Sequence, residues 1–186
     1  MRLFVAVELP EAVHDAIARG LGSLRRDLPP SRWVRREAMH VTLKFLGEQP
    51  EAVVGELTDR LGPRLAALAP VTIALGGGGF FPHQRRPRVA WLGGRAPGLE
   101  AWAAAVDAAA VECGAPAEER PFSLHVTLAR IERPWDARAV DDFVHAVGRC
   151  QFEPFVAREA VLFSSLLQPG GAVYAPLRRF PVGGGA

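Results

Sequence analysis

Two short stretches of this chain carry the same reactive pair. His40-Val41-Thr42-Leu43-Lys44-Phe45-Leu46-Gly47-Glu48 and His125-Val126-Thr127-Leu128-Ala129-Arg130 both read His-x-Thr-Leu within an apolar run, 85 positions apart. In a β-strand, residues i and i+2 point to one face. Each copy therefore sets an imidazole beside a hydroxyl, with Val and Leu on the opposite side. Two such strands brought together supply two histidines and two threonines to one cleft. Imidazoles titrate near neutrality, so a pair offers a neutral base and an imidazolium acid together. Threonine hydroxyls can donate to the non-bridging oxygens of a phosphate while charge builds there. The chemistry this fits is opening of a cyclic phosphodiester: one histidine takes a proton from attacking water, the other protonates the departing ribose oxygen. A single His-x-Thr is common in strands, but two copies extended to His-Val-Thr-Leu are not expected by chance.

A metal or nucleotide cofactor is not expected. Zinc sites usually take three or four ligands, commonly with acidic or thiolate partners. Threonine is a poor ligand, and no Asp or Glu stands two residues from His40 or His125. His14 and His145 fall on helical stretches at positions that read as exposed, and His83 lies in a basic loop. The Gly76–Gly79 run permits a bulge, a loop or a close backbone approach, but no Gly-Lys-Ser/Thr follows it, so it is not a phosphate-binding P-loop. Cys113 and Cys150 form no C-x-x-C pair and read as reduced thiols at a helix end and a strand start.

The elements that must position these groups follow from periodicity. Leu3-Phe4-Val5-Ala6-Val7 reads as a buried strand, with Phe4 taken as core. Pro10 opens a helix bearing Val13, Ile17, Leu21, Leu24 and Leu28, stopped at Pro29-Pro30. Trp33-Val34 is a short strand before the His40 strand. A helix from Pro50 carries Val53, Val54, Leu57 and Leu61, and Gly62-Pro63 should break or kink it. Strands are expected at Val71–Leu75 and Arg88–Leu92. Pro97 opens a helix with Leu99, Trp102, Val106 and Ala110 inward and Gly114 just past its end. After the His125 strand, Asp136 caps a helix with Val140, Phe143, Val144 and Val147, ended by Gly148. Phe152–Phe155, Ala160–Ser164 and Val173–Leu177 read as strands, with Pro169-Gly170-Gly171 turning the chain between the last two and a frayed tail at Gly183–Ala186. Helix, motif strand, helix and further strands thus recur in both halves. The expected architecture is α+β: residues 1–186 as one domain of two pseudo-symmetric lobes, with antiparallel sheets lining a central cleft and helices outside.

At 186 residues, 49% hydrophobic and 23% charged, the chain is in the range of globular domains and outside that of disordered ones. No apolar run approaches the ~20 residues that span a bilayer, and the N-terminus is too short and too soon charged for a secretory leader. A cytoplasmic protein without membrane contact is expected, and no long heptad suggests more than a monomer. The net charge of +2 excludes a polycationic duplex-wrapping protein. All basic residues but Lys44 are arginines, grouped at Arg32, Arg35 and Arg36, at Arg85, Arg86 and Arg88, and at Arg178 and Arg179. Arginine forks suit phosphate oxygens. Strict alternation puts Lys44 on the His40 face as a candidate RNA contact.

The motifs and their flanks resemble the RNA 2′,3′-cyclic phosphodiesterase, or 2′-5′ RNA ligase (ThpR/LigT), family of the two-histidine (2H) phosphoesterase superfamily. The likeness runs from Arg2–Pro10 through His40–Glu48, Phe80-Phe81-Pro82, Pro121-Phe122 and His125–Arg130 to Leu162–Ser165 and Val173–Leu177. It departs at Leu124, where relatives often carry Pro. The resemblance implies a bilobal 2H fold and metal-independent, ATP-independent opening of RNA 2′,3′-cyclic phosphate ends to 2′-phosphates. It also implies reversible 2′-5′ joining of tRNA halves. By resemblance His40 is the proton donor, His125 the proton acceptor, and Thr42 and Thr127 hold the phosphate. Arg130 follows the second motif as in relatives and is a candidate phosphate contact, although strict alternation turns it away from His125 unless the strand ends or bulges there. Two other readings use the same cleft: a phosphodiesterase for small cyclic nucleotides or ADP-ribose cyclic phosphate, and a non-catalytic RNA-end-binding module. The second has no use for two poised proton carriers.

Overall fold

The computed structural model describes residues 1–168 and 171–183. The chain runs β1 (Arg2–Glu8), α1 (Glu11–Leu21), α2 (Leu24–Asp27), β2 (Arg32–Trp33), a 3₁₀ turn at Arg36–Ala38, β3 (His40–Glu48), α3 (Val53–Ala66), β4 (Val71–Phe81) and β5 (Val89–Arg95). It continues with α4 (Leu99–Glu112), β6 (Val126–Arg130), α5 (Ala137–Arg149), β7 (Phe155–Ala157), β8 (Glu159–Gln168) and β9 (Gly171–Pro181). Pro169-Gly170 of the expected turn and Gly184–Ala186 of the expected tail lie outside the described residues. No described helix is long and apolar enough to cross a membrane.

The strands pair in the order β7-β4-β5-β6-β3-β1-β8-β9, with β2 also against β6. The two sheets expected from the repeat are the two four-stranded wings of this path. They meet at β3 and β6, the two motif strands, through a single antiparallel register pair, Val41 with Val126. Both valines are fully buried. The wings are not the two halves of the sequence: β8 returns from the C-terminal half to pair with β1. The helices cross over as well. α1 follows β1 but packs on α5, which lies on β4, while α4 follows β5 but packs with α3 and against β3. Each wing thus takes its helical cover from both halves of the chain.

Local chemistry accounts for most elements. The five residues Leu3–Val7 are all buried because β1 runs between β3 and β8. Asp136 caps α5 by accepting from the Ala139 amide at 2.8 Å, and Gly114, at φ +87°, takes the left-handed turn that ends α4. Trp102 donates its indole N–H to the Ala69 carbonyl at 3.1 Å, fixing α4 to the chain before β4.

Several boundaries differ from expectation. α1 stops at Leu21, and Leu24 begins a separate short helix. α3 does not break at Pro63 but continues to Ala66, because Leu61 and Leu65 on either side of it are both fully buried. Core burial here outweighs the lost hydrogen bond. β4 extends beyond Leu75 through the glycine run to Phe81, with a register shift between Leu75 and Gly78. β7 starts at Phe155 rather than Phe152, and Cys150 caps the end of α5 instead of opening a strand.

A repeated irregularity matters most for the site. On β3, Val5 pairs with Lys44 and Ala6 with Thr42, so Leu43 is skipped. On β6, Ala90 pairs with Ala129 and Trp91 with Thr127, so Leu128 is skipped. Both motif strands therefore bulge three residues after the histidine, and each bulge reverses the alternation beyond it. Lys44 is the first consequence. It turns from the His40 face into the helix layer, is 5% exposed, and donates to Asp107 Oδ1 of α4 at 2.6 Å and the Pro116 carbonyl at 2.8 Å. The expected RNA contact at Lys44 is thus replaced by a tie between β3 and α4. Removing one member of such a pair leaves the other charge poorly solvated. Lys44→Ala is expected to destabilise the fold by about 3 kcal/mol, at the lower end for buried pairs because Asp107 keeps some solvent, read as a lowered urea midpoint at unchanged slope. A midpoint equal to that of the parent would contradict this role.

Candidate active site

The Val41–Val126 pair sets the geometry of the reactive groups. Continuing its antiparallel register by one residue each way puts His40 across from Thr127 and Thr42 across from His125. Directly opposed residues on one face lie about 5 Å apart at Cβ. Four side chains from two distant motifs therefore form a compact square over the seam, each histidine beside its own threonine and facing the other's. His40, Thr42, His125 and Thr127 are all half-buried.

The backbone orients both rings in the same way. His40 Nδ1 lies 2.9 Å from the Ala38 carbonyl and His125 Nδ1 lies 2.9 Å from the Ser123 carbonyl, in each case two residues upstream. A carbonyl only accepts, so each ring, when neutral, carries its proton on Nδ1, and its Nε2 lone pair meets no donor among the described residues. Neither Thr42 nor Thr127 spends its hydroxyl on a protein hydrogen bond among the described residues.

The surroundings of the two rings differ. His40 stacks on Phe4 at 4.8 Å between centroids and meets the edge of Tyr174 at 5.3 Å. Phe4 is held in turn by Phe163 at 5.2 Å. This aromatic sleeve desolvates His40. With a smaller push from the neighbouring His125, burial outweighs the Ala38 hydrogen bond and lowers the His40 pKa to about 4. The resting imidazole of His40 is therefore neutral at pH 7. His125 meets Phe81 edge-on at 5.0 Å.

Phe4, read as core, is both core and active-site wall: it is 2% exposed, yet its ring carries His40. Trp91 was not singled out by the sequence. It pairs with Thr127 on β5 and lies across two glycines, since a Cβ at Gly79 would fall 2.3 Å, and one at Gly93 2.9 Å, from its ring. Gly79, within the glycine run of β4, and Gly93 were the available signal, because they leave room for one large neighbour. The bulge at Leu128 brings Arg130 to the cleft: beyond the skipped residue it is exposed and lines the cavity next to Phe4 and Tyr174. Among the described residues it makes no ion pair.

The remaining histidines lie elsewhere. His14, expected to be exposed, is 8% exposed on the inner side of α1, where burial first and Arg36 second lower its pKa. His145 and His83 are exposed. Among the described residues no group of three or more His, Cys, Asp and Glu side chains could hold a metal ion, and Cys113 and Cys150 are not bonded to each other.

Both the sequence and the fold match known proteins. The sequence profile of the 2′-5′ RNA ligase superfamily matches residues 13–160. An RNA 2′,3′-cyclic phosphodiesterase from Thermus thermophilus is 35% identical, covering 99% of this chain and 91% of its own length. One of that name from Archaeoglobus fulgidus is 31% identical over 97% of this chain and 99% of its own. A third, from Geobacillus stearothermophilus, is 34% identical over 68% of this chain, which matches 41% of that relative's length. Among solved structures, the protein TT0787 of Thermus thermophilus superposes with a TM-score of 0.81 at 33% identity, covering 99% of both chains. Escherichia coli LigT complexed with 3′-AMP gives 0.71 at 26% identity, over 97% of this chain and 96% of that one.

The depressed His40 pKa links acidity to stability. Between the unfolded value of 6.5 and the folded value of about 4, the unfolded chain binds more protons at this site, so stability falls as pH falls through that window. Between pH 7 and pH 5 this single group removes about 2 kcal/mol. Urea unfolding of the parent and of His40→Gln at both pH values is expected to differ by that amount in pH sensitivity. Identical pH dependences would contradict the buried, neutral assignment.

Proposed function

The chain belongs to the 2′-5′ RNA ligase superfamily, and from that premise we propose that it opens RNA 2′,3′-cyclic phosphodiester ends to 2′-phosphomonoesters by two-histidine acid–base catalysis. The observation that carries the reading is the opposed pair of His-Thr couples over the seam. The two Nε2 atoms and two hydroxyls, which make no protein hydrogen bond among the described residues, would address a single phosphorus from that arrangement, and several relatives across bacteria and archaea are named for this activity.

In the proposed reaction water attacks phosphorus in line with the 3′ oxygen. His125 Nε2 takes the proton from the water, and His40 Nε2–H delivers one to the departing 3′ oxygen, so the P–O3′ bond breaks as the new P–O bond forms. Thr42 and Thr127 donate to the non-bridging oxygens, and the Arg130 guanidinium offsets their charge. The resting neutrality of His40 fits an acid that forms only with substrate. A phosphate anion about 4 Å away, at an effective dielectric near 20, favours the imidazolium by about 4 kcal/mol. That is about three pKa units, enough to lift a value near 4 towards neutrality. A 5′ hydroxyl taking the place of water under the same roles yields a 2′-5′ linkage, which is how tRNA halves would be joined. We assign the catalytic unit to residues 1–186 acting as a cytoplasmic monomer, with the two wings sharing one site. Nothing in the proposed step calls for a metal or a cofactor.

Incubation with a short RNA ending in a 2′,3′-cyclic phosphate, with EDTA and without ATP, is expected to give the 2′-phosphate end. His40→Ala and His125→Ala should each lower the rate by ~10²–10⁴-fold. A 3′-phosphate product, or full activity in either variant, would overturn the assignment.

A further inference from the structure

Beside the reactive square lies a cavity of about 640 Å³. This is within the range of ~300–1,000 Å³ typical of pockets that bury a small-molecule ligand, and it is more room than a terminal phosphate needs. It opens from the His40 side, for its lining includes Phe4 and Tyr174, the two rings that touch His40. We propose that this cavity seats the RNA strand immediately 5′ of the cyclic phosphate, so that the protein reads an oligonucleotide end rather than a lone nucleotide. The inference rests on the proposed reaction and adds a subsite to it.

Three observations converge on a nucleic-acid strand. First, the lining contains arginines (Arg2, Arg32, Arg35 and Arg130) and no Asp or Glu. Arg32 is paired with Glu132 at 2.8 Å, but Arg35 and Arg130 have no ion-pair partner among the described residues. Second, Phe45 lines the same cavity and is 63% exposed, although its position in β3 is flanked by buried Lys44 and Leu46. The bulge at Leu43 is what turns Phe45 outward. An exposed ring beside unpaired guanidinium groups is the combination that holds single-stranded RNA, by base stacking and phosphate contact. Third, the direction is right. In-line displacement puts the attacking water and the departing 3′ oxygen on opposite sides of phosphorus. With His125 serving the water and His40 the 3′ oxygen, the ribose and the chain attached to it lie on the His40 side, where the cavity opens.

The test compares two substrates, adenosine 2′,3′-cyclic phosphate and a tetranucleotide ending in a 2′,3′-cyclic phosphate, across the parent protein, Arg35→Gln and Phe45→Ala. The parent is expected to prefer the tetranucleotide in kcat/KM, with the preference shrinking as salt rises. Each substitution should lower kcat/KM for the tetranucleotide about tenfold, as expected for loss of one stacking or charge-assisted contact, and leave the mononucleotide unchanged. Equal loss on both substrates, no loss on either, or no parental preference would overturn the subsite while the proposed reaction stands. If the parent opens neither substrate, the reaction itself fails. In that case fluorescence anisotropy with a labelled tetranucleotide ending in a 2′-phosphate still decides the subsite: weaker binding by both variants supports it, and equal binding refutes it.

Discussion

One antiparallel register pair, Val41 with Val126, holds the functional arrangement together. The side-chain period of a strand is two, so a slip of one residue on either strand would turn a histidine and its threonine into the helix layer. The register is specified by what lies beneath: both valines are fully buried, and the leucines that follow at Leu43 and Leu128 are 7% and 1% exposed. The groups proposed to be catalytic are thus placed by their hydrophobic neighbours within the motif. The same short pattern writes both the chemistry and the packing that aims it.

Around that seam the fold is close to two-fold symmetric, while the environment is not. Both histidines use the carbonyl two residues upstream, both strands bulge at the same offset, and the residues beyond the bulge fall into corresponding places. The chain then departs from symmetry through the side chains. Past the bulge, the inward position is Lys44 on one strand and Ala129 on the other, and the outward position is Phe45 on one and Arg130 on the other. His40 is sleeved by Phe4 and Tyr174, which remove water and keep it neutral at rest. Burial thus acts on His40 within a repeated motif, which suits the acid role proposed for it.

Much of this was legible from residue order. The repeated His-x-Thr pattern, the Pro10 and Asp136 helix starts and the Gly114 stop all rest on short-range rules, and those elements appear where the rules put them. Failures came where long-range packing overrode a local rule. Alternation put Lys44 in the cleft and Arg130 outside it, and the bulges exchanged them, because a skipped residue is set by the partner strands β1 and β5 and not by the motif itself. Pro63 should break or kink its helix, and buried leucines on both sides carry the helix through to Ala66 without a break. His14 reads as exposed on α1 alone and is buried where α1 faces the segment leading into β3, with Arg36, Glu37 and Met39 beside it. Trp91 carries no motif, and its importance emerges only when the glycines at 79 and 93 are seen to make room for it.

The central claim is that the two imidazoles address one phosphate. The most direct measurement is a ¹⁵N NMR titration of the histidine Nε2 resonances with a nucleoside 2′-monophosphate. The account predicts that His40 and His125 respond together, saturating at one equivalent, with the His40 titration point moving up from about 4 as the anion occupies the seam. A response from only one of the two rings, or two separate binding events, would contradict it.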